Sequence, residues 1–195
     1  MSKNEIVQLL EENEGLLKGH FKLSSGNHSD KYVQCEKVIQ YPQISGKLGK
    51  IIAEPFKETG IDVVFAPAIG AIRIGHEVAR ALECRSVFAE RVNGVFQIRR
   101  AMEISEGEKV LLVEDVVTTG KSLKELIPLV ESMKGKVVGV ASLIDRTGGK
   151  VDFGVSFKGA LQLEIPIYTP EECPMCKEGI PLVKPGSRPE GSKSI

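Results

Sequence analysis

The spacing of apolar positions changes character along the chain. From Lys3 to Leu17 the apolar residues Ile6, Leu9, Leu10 and Leu16 fall close to helical spacing, which predicts a helix ending near Gly15 to Gly19. The turn-rich stretch Phe21–Lys–Leu–Ser–Ser–Gly–Asn–His–Ser29 then leads to a strand-like Tyr32–Val33–Gln34. Ile44 to Lys57 reads as a second helix, stopped by Gly60. Beyond Gly60 the pattern changes to a short, continuous apolar run, Ile61–Ala66, followed by further predicted strands at Ser86–Ala89, Val110–Val113 and Val137–Ile144. Such runs suit strands buried on both faces. The small-residue loop Pro67–Gly75 and the helical patterns Ile74–Leu82 and Ser122–Met133 lie between them. Strand and helix alternate, so the expected fold is α/β, a parallel sheet with helices on both faces. Three units are expected: an N-terminal segment 1–59, an α/β core 60–165 and an irregular, proline-rich tail 166–195. The stretch Lys184 to Ile195, rich in Pro, Gly and Ser, is expected to be mobile.

Composition narrows the function classes. An apolar fraction of 42% over 195 residues is enough to bury one α/β core. Lys+Arg and Asp+Glu both total 26, so no global basic field exists to hold nucleic acid, and any ligand-binding charge must be local. No apolar run approaches the roughly 18 residues of a membrane helix, and the N-terminus lacks a basic stretch leading into an apolar one. A soluble, cytoplasmic protein is expected. Without a leader, Cys35, Cys84, Cys173 and Cys176 do not suggest a disulfide framework. Cys173–Pro–Met–Cys176 has metal-ligand spacing but supplies half a tetrahedral site, with no second CxxC or HxxxH. The pair reads as plain thiols or half of a zinc site, and no metal ligands are assigned from sequence.

The chemistry concentrates in Val110–Leu–Leu–Val–Glu–Asp–Val–Val–Thr–Thr–Gly–Lys–Ser122. An apolar strand delivers two adjacent carboxylates, Glu114 and Asp115, at its carboxyl end. A hydroxyl- and Gly-rich loop and then a helix start follow, a combination that holds phosphate through free N–H groups. Gly120 permits positive φ and close backbone approach. Thr118, Thr119 and Ser122 add hydroxyls, and Lys121 adds charge. Carboxylates beside a phosphate cradle would repel it unless they bind sugar hydroxyls or a magnesium shell. A sugar phosphate with free hydroxyls satisfies both halves. A plain surface turn with solvated acids is the bland alternative. Gly120–Lys121–Ser122 also ends like the P-loop of nucleotide triphosphatases, but that motif needs Gly where Asp115 stands.

This segment resembles the phosphoribosyl-diphosphate signature of the type I phosphoribosyltransferases. The resemblance implies that Glu114 and Asp115 face the ribose 2- and 3-hydroxyls. It also implies that Val116, Val117 and the loop Thr118–Ser122 hold the 5-phosphate, that magnesium is the cofactor, and that a small hood caps the sheet. Three further stretches are similar to the orotate branch. Phe21–Ser29, with Ser25 and Gly26, is similar to its entry motif, and Tyr32 maps onto an aromatic position of the hood. Asp145–Arg146 matches the pair whose arginine takes the orotate carboxylate, and Thr118 maps onto another orotate contact. Gly60–Gly75 looks like the strand and diphosphate loop, with Ala68, Ile69 and Gly70 at the loop itself. The implied partners are 5-phosphoribosyl-1-diphosphate and orotate, and the implied assembly is a homodimer.

The departures are all cations. Orotate enzymes usually carry lysines and a histidine in a mobile loop before the acidic strand; here that region reads Glu90–Arg–Val–Asn–Gly–Val–Phe–Gln–Ile–Arg–Arg100. Ser24 and Ile69–Gly70 stand at other positions where the family has a lysine or a Tyr–Lys pair. Arg91, Arg99, Arg100 and Arg73 are the available substitutes, with Arg99 and Arg100 the expected catalytic cations. Asn93–Gly94 predicts a hairpin turn in this loop. If the loop is extended, its adjacent arginines point opposite ways. A purine or xanthine phosphoribosyltransferase and a non-catalytic binder of the sugar diphosphate stay open as alternatives.

Overall fold

The computed structural model describes residues 3–23 and 25–185. The expected mobility of the last residues falls mostly on 186–195, outside the described residues. Helix α1 (Lys3–Glu12) precedes a two-stranded hairpin, β1 (Leu16–Lys22) and β2 (His28–Val33). Short α2 (Glu36–Ile39), then α3 (Pro42–Ala53) and a 3-10 turn (Glu54–Thr59) follow, ending at the left-handed Gly60. The core then runs β3 (Val63–Pro67), α4 (Ala71–Leu82), β4 (Arg85–Val92), β5 (Val95–Ile98), β6 (Lys109–Val117), α5 (Lys121–Ser132), β7 (Lys136–Asp145) and β8 (Phe157–Gln162). A four-residue helix, α6 (Pro174–Lys177), lies in the tail.

The six-stranded sheet has the order β5-β4-β3-β6-β7-β8. All neighbours are parallel except β4 and β5, which form an antiparallel hairpin. Successive residues of the central strands serve opposite faces. Val64, Ala66, Leu111 and Val113 pack in one core with Ile6, Leu10, Leu48, Ile74 and Val78 of α1, α3 and α4. Val63, Phe65, Val110 and Leu112 pack in the other with Leu123, Leu126 and Val130 of α5. The chain leaves β3 toward β4 on one side and has β6 on the other. That reversal is a switch point, where loops at strand carboxyl ends diverge and leave a crevice.

Three sequence expectations need correction. The first helix stops at Glu12, and Leu16 and Leu17 open β1 instead. Glu14 adopts positive φ, and the N–H of Gly15 returns to the Leu10 carbonyl at 2.7 Å, which closes the helix before the apolar pattern ends. Strand β8 was not read from the sequence at all: its pattern is largely exposed, since it is a sheet edge. The acidic pair lies inside β6, which runs on to Val117 rather than stopping at Val113.

The tail returns to the hairpin. Tyr168 and His28 exchange backbone hydrogen bonds at 2.8 and 2.9 Å, and Val183 is bridged to β1. Hairpin and tail together form a small cap beside the sheet.

Candidate active site

The loop Thr118–Gly120 connects β6 to α5. Gly120 has φ of 72°, and a Cβ there would lie 2.8 Å from the Phe153 ring, so conformation and space both require glycine. The first N–H groups of α5 have no acceptor within their own helix and point into this loop. Glu114, Val116, Val117, Thr118, Thr119, Gly120, Lys121 and Ser122 line a cavity of about 60 Å³, the size of a small anion's seat.

Glu114 and Asp115 are mostly withdrawn from water. Burial, the neighbouring Asp115 charge and a hydrogen bond between the two push Glu114 up to about 9. Burial also raises Asp115, against the opposing hydrogen bond from Glu114. The pair therefore shares a proton when alone, with Glu114 as its donor. A third carboxylate joins them. A Cβ on Gly70 would come within 3.1 Å of Asp115 Oδ2 and 3.3 Å of Glu36 Oε1. Gly70 thus lets the loop after β3 close over these acids. Glu36 carried no sequence signal, because it lies on α2, far from any motif. Three hard carboxylate oxygens gathered beside a phosphate seat fit a magnesium ion.

The β3 loop meets the β4–β5 hairpin. The Ala68 N–H donates to the Ala89 carbonyl at 2.7 Å. Ala68, Ile69, Phe88, Glu90, Arg91, Arg99 and Arg100 share a recess of about 670 Å³. Asn93 (φ 51°) and Gly94 (φ 83°) form the tight turn that the sequence predicts. Arg99 and Arg100 do not diverge: Arg100 lies 2.9 Å and Arg99 3.7 Å from Glu90 carboxylate oxygens. The reason is local. The strand ends at Ile98, and Arg100 and Ala101 both take positive φ, so the chain turns rather than extends. Arg91 is engaged elsewhere, paired with Glu125 at 2.7 Å and stacked 3.9 Å above the Phe96 ring. Arg73 lines a separate recess with His76 and Phe88.

Arg146 follows β7, and its backbone N–H donates to the Val117 carbonyl at 2.8 Å, which seats it beside the Thr118 loop. It does not pair with its neighbour, because Asp145 Oδ1 accepts the Thr147 N–H at 2.7 Å. Arg146 Nε is buried without a hydrogen-bond partner. Burial lowers its pKa and the Tyr32 hydroxyl opposes that, so Tyr32 of β2 lies close by. Tyr32 packs on Phe21 with ring centroids 5.8 Å apart. Ser25 and Gly26 form the hairpin's turn, where Gly26 (φ 88°) donates its N–H to the Leu23 carbonyl at 2.9 Å. The Asn27 N–H donates to Ser25 Oγ at 3.4 Å, a second hydrogen bond within that turn. The structure thus gathers Glu114 to Ser122 with Gly70, Arg146 with Tyr32, and Arg99 and Arg100 with Ala68 and Ile69.

The chain is similar to known proteins in sequence and in fold. Residues 36–153 match the phosphoribosyl transferase domain. An orotate phosphoribosyltransferase of Caldanaerobacter subterraneus is 55% identical over 188 residues, spanning 96% of this chain and 99% of that one. One of Caldicellulosiruptor bescii is 53% identical over the same length, with the same coverage. The solved orotate phosphoribosyltransferase of Aeropyrum pernix superposes with a TM-score of 0.70, covering 81% of this chain and 93% of that one at 21% identity. With a domain match over more than half its length and relatives above 50% identity end to end, this chain belongs to the orotate phosphoribosyltransferases, within the phosphoribosyl transferase domain family.

Proposed function

We propose that the protein transfers phosphoribosyl from 5-phosphoribosyl-1-diphosphate to orotate, giving orotidine 5'-monophosphate and diphosphate. The observation that carries the choice of base is Arg146. A buried guanidinium nitrogen without a partner, beside an aromatic hydroxyl and next to the phosphate loop, is costly unless an anion completes it. Orotate carries a carboxylate; purine bases do not. Relatives above 50% identity that bear this activity support the same reading.

The residues divide the work. Thr118 to Ser122 and the α5 N-terminus hold the 5-phosphate. Glu114 and Asp115 orient the ribose hydroxyls and, with Glu36, supply carboxylates for magnesium. Magnesium, when bound, neutralises part of the diphosphate charge. Ala68, Ile69 and Gly70 present backbone to the diphosphate, and Arg99 or Arg100 approaches it once released from Glu90. The N1–C1 bond forms as the C1–diphosphate bond breaks, and the ribosyl centre passes through an oxocarbenium-like state. Orotate N1–H is acidic enough that positioning and charge stabilisation suffice without a strong base. The hairpin carrying Tyr32 and the β4–β5 hairpin keep water from the activated sugar. The protein acts as a homodimer in the cytoplasm on this reading.

The test is direct. Purified protein with magnesium, the sugar diphosphate and orotate consumes orotate, followed by its ultraviolet absorbance, and diphosphate appears in equal amount. Turnover of hypoxanthine, xanthine or adenine in place of orotate, or binding of the sugar diphosphate without turnover, overturns the assignment.

A further inference from the structure

Away from the phosphate loop, four side chains from distant parts of the chain converge. His20 comes from β1, His28 from β2, Cys173 from the N-cap of α6 in the tail and Cys176 from α6 itself. One ligating atom from each lies within 4.8 Å of all the others. His20 Nε2 is 3.0 Å from His28 Nδ1, 3.4 Å from Cys173 Sγ and 3.6 Å from Cys176 Sγ. Cys176 Sγ is 3.3 Å from His28 Nδ1. In a tetrahedral zinc site, bonds of about 2.0–2.3 Å put ligand atoms roughly 3.3–3.8 Å apart. The cluster has these dimensions to within a few tenths of an ångström at the contacts just given.

We propose that these residues form a structural Cys2His2 zinc site that fastens the C-terminal tail to the β1–β2 hairpin. Four features select this chemistry. Two imidazole nitrogens and two sulfurs suit zinc, and no carboxylate is present to favour magnesium or calcium. Two thiolates balance the charge of Zn2+, so the bound site is neutral, as its burial requires. His20, His28 and Cys173 are at most 5% exposed, and only Cys176 reaches the surface. His20 is already oriented: its Nδ1–H donates to the Ile180 carbonyl at 2.8 Å, which leaves the Nε2 lone pair facing the cluster. With four protein ligands no position is left for a substrate, which marks the site as structural.

The tail also needs such a fastening. Ile167, Ile180, Leu182 and Val183 are 41–55% exposed, and Cys173 and Met175 are its buried apolar residues. A handful of backbone hydrogen bonds, Tyr168 to His28 and Val183 to β1 among them, then hold the segment. Too little apolar surface is buried to order it alone. The sequence showed only the Cys173–Cys176 half of the site, because the two halves lie 153 residues apart and the histidines face each other across a hairpin, with no motif spacing.

Metal analysis of untagged protein, purified in reductant without chelator, is expected to find about one zinc per chain. Apoprotein titrated with Co2+ should develop tetrahedral visible bands and a thiolate-to-cobalt charge-transfer band in the near ultraviolet. Cys176→Ser and His28→Ala should lose both the zinc and the charge-transfer band. Cys176 is surface-exposed, so Cys176→Ser tests the site even if His28→Ala fails to fold. Hydrogen exchange should then show residues 166–185 and the hairpin 16–33 losing protection in Cys176→Ser and in chelated wild type, with recovery on adding Zn2+ to the latter. Reduced wild-type protein that takes up neither metal overturns the proposal. So does zinc that Cys176→Ser retains in full, which would place it elsewhere. A Cys173–Cys176 disulfide in the purified protein, or metal loss that leaves tail protection unchanged, also overturns it.

Discussion

At the residue scale, the site is built from groups whose ordinary state is disturbed. Glu114, pushed to about 9 chiefly by burial, keeps its proton in the folded chain and releases it near its ordinary value of 4.5 when unfolded. The folded state then binds more protons than the unfolded one across that interval. Protonation of Glu114 therefore contributes stability that is fully present below 4.5 and is lost as pH rises through about 9. Glu114→Gln removes this dependence and should unfold at a higher temperature than wild type at pH 8 without substrates. Each kcal/mol recovered is worth roughly 2–4 °C. The same variant and Asp115→Asn should lose turnover while staying folded; near-native turnover in both would remove the acids from the mechanism. Arg146 gives the complementary test. Losing a carboxylate contact in a dry pocket costs about 2–5 kcal/mol. Arg146→Ala should raise the orotate KM far more than the sugar-diphosphate KM, and equal effects would place the arginine elsewhere. Both residues were legible in sequence because a strand end fixes where the chain delivers them. Glu36 was not, since only tertiary packing brings α2 to the β3 loop.

At the scale of elements, the reading from hydrophobic period was sound where strands are buried on both faces and poor at the margins. Val63–Pro67 announces itself by an unbroken apolar run, and Lys136–Asp145 by one interrupted only at Gly139 and Ser142 between its charged ends. Edge strand β8 and the hairpin strand β1 do not, because half-exposed strands of mixed composition imitate loops or helix ends. The β4–β5 hairpin was visible through Asn93–Gly94, yet the turn that carries Arg100 was not, since positive φ at Arg100 and Ala101 leaves no periodic trace. The consequence is that Glu90 holds both arginines in the ligand-free chain. On the proposed function, one of them would leave Glu90 to meet the departing diphosphate. Arg99→Ala or Arg100→Ala, not both equally, should lower kcat by at least roughly tenfold, about 1.4 kcal/mol. A transition-state contact lowers kcat and kcat/KM together. Wild-type kcat in both variants would reduce the hairpin to a passive wall.

At the scale of the whole molecule, the site is a meeting of separate units. The β3, β6 and β7 loops come from the carboxyl edge of one sheet, Tyr32 comes from the N-terminal hairpin, and the arginines come from the β4–β5 hairpin. The parallel sheet with helices on both faces was legible, since strand and helix alternate along the core, but the strand order was not read. How the hairpin and tail sit beside the sheet was not, because their contacts are few and long-range. A ligand that touches the loops binds the folded chain alone, so it must stabilise the whole fold by mass action. At a hundredfold excess over its Kd, the sugar diphosphate with magnesium should add about 2.7 kcal/mol. At roughly 2–4 °C per kcal/mol, thermal unfolding should shift upward by about 5–11 °C. The shift should shrink as pH falls, because Glu114 must release its proton to solvent before its carboxylate can hold the cation. Asp115→Asn should lose most of it. Arg146→Ala should keep it but lose any further increment from orotate, which separates the sugar-phosphate half of the site from the base half. An Arg146→Ala protein whose response to the sugar diphosphate alone also vanished would show that the two halves are one cooperative unit, with Arg146 holding the loop rather than the base.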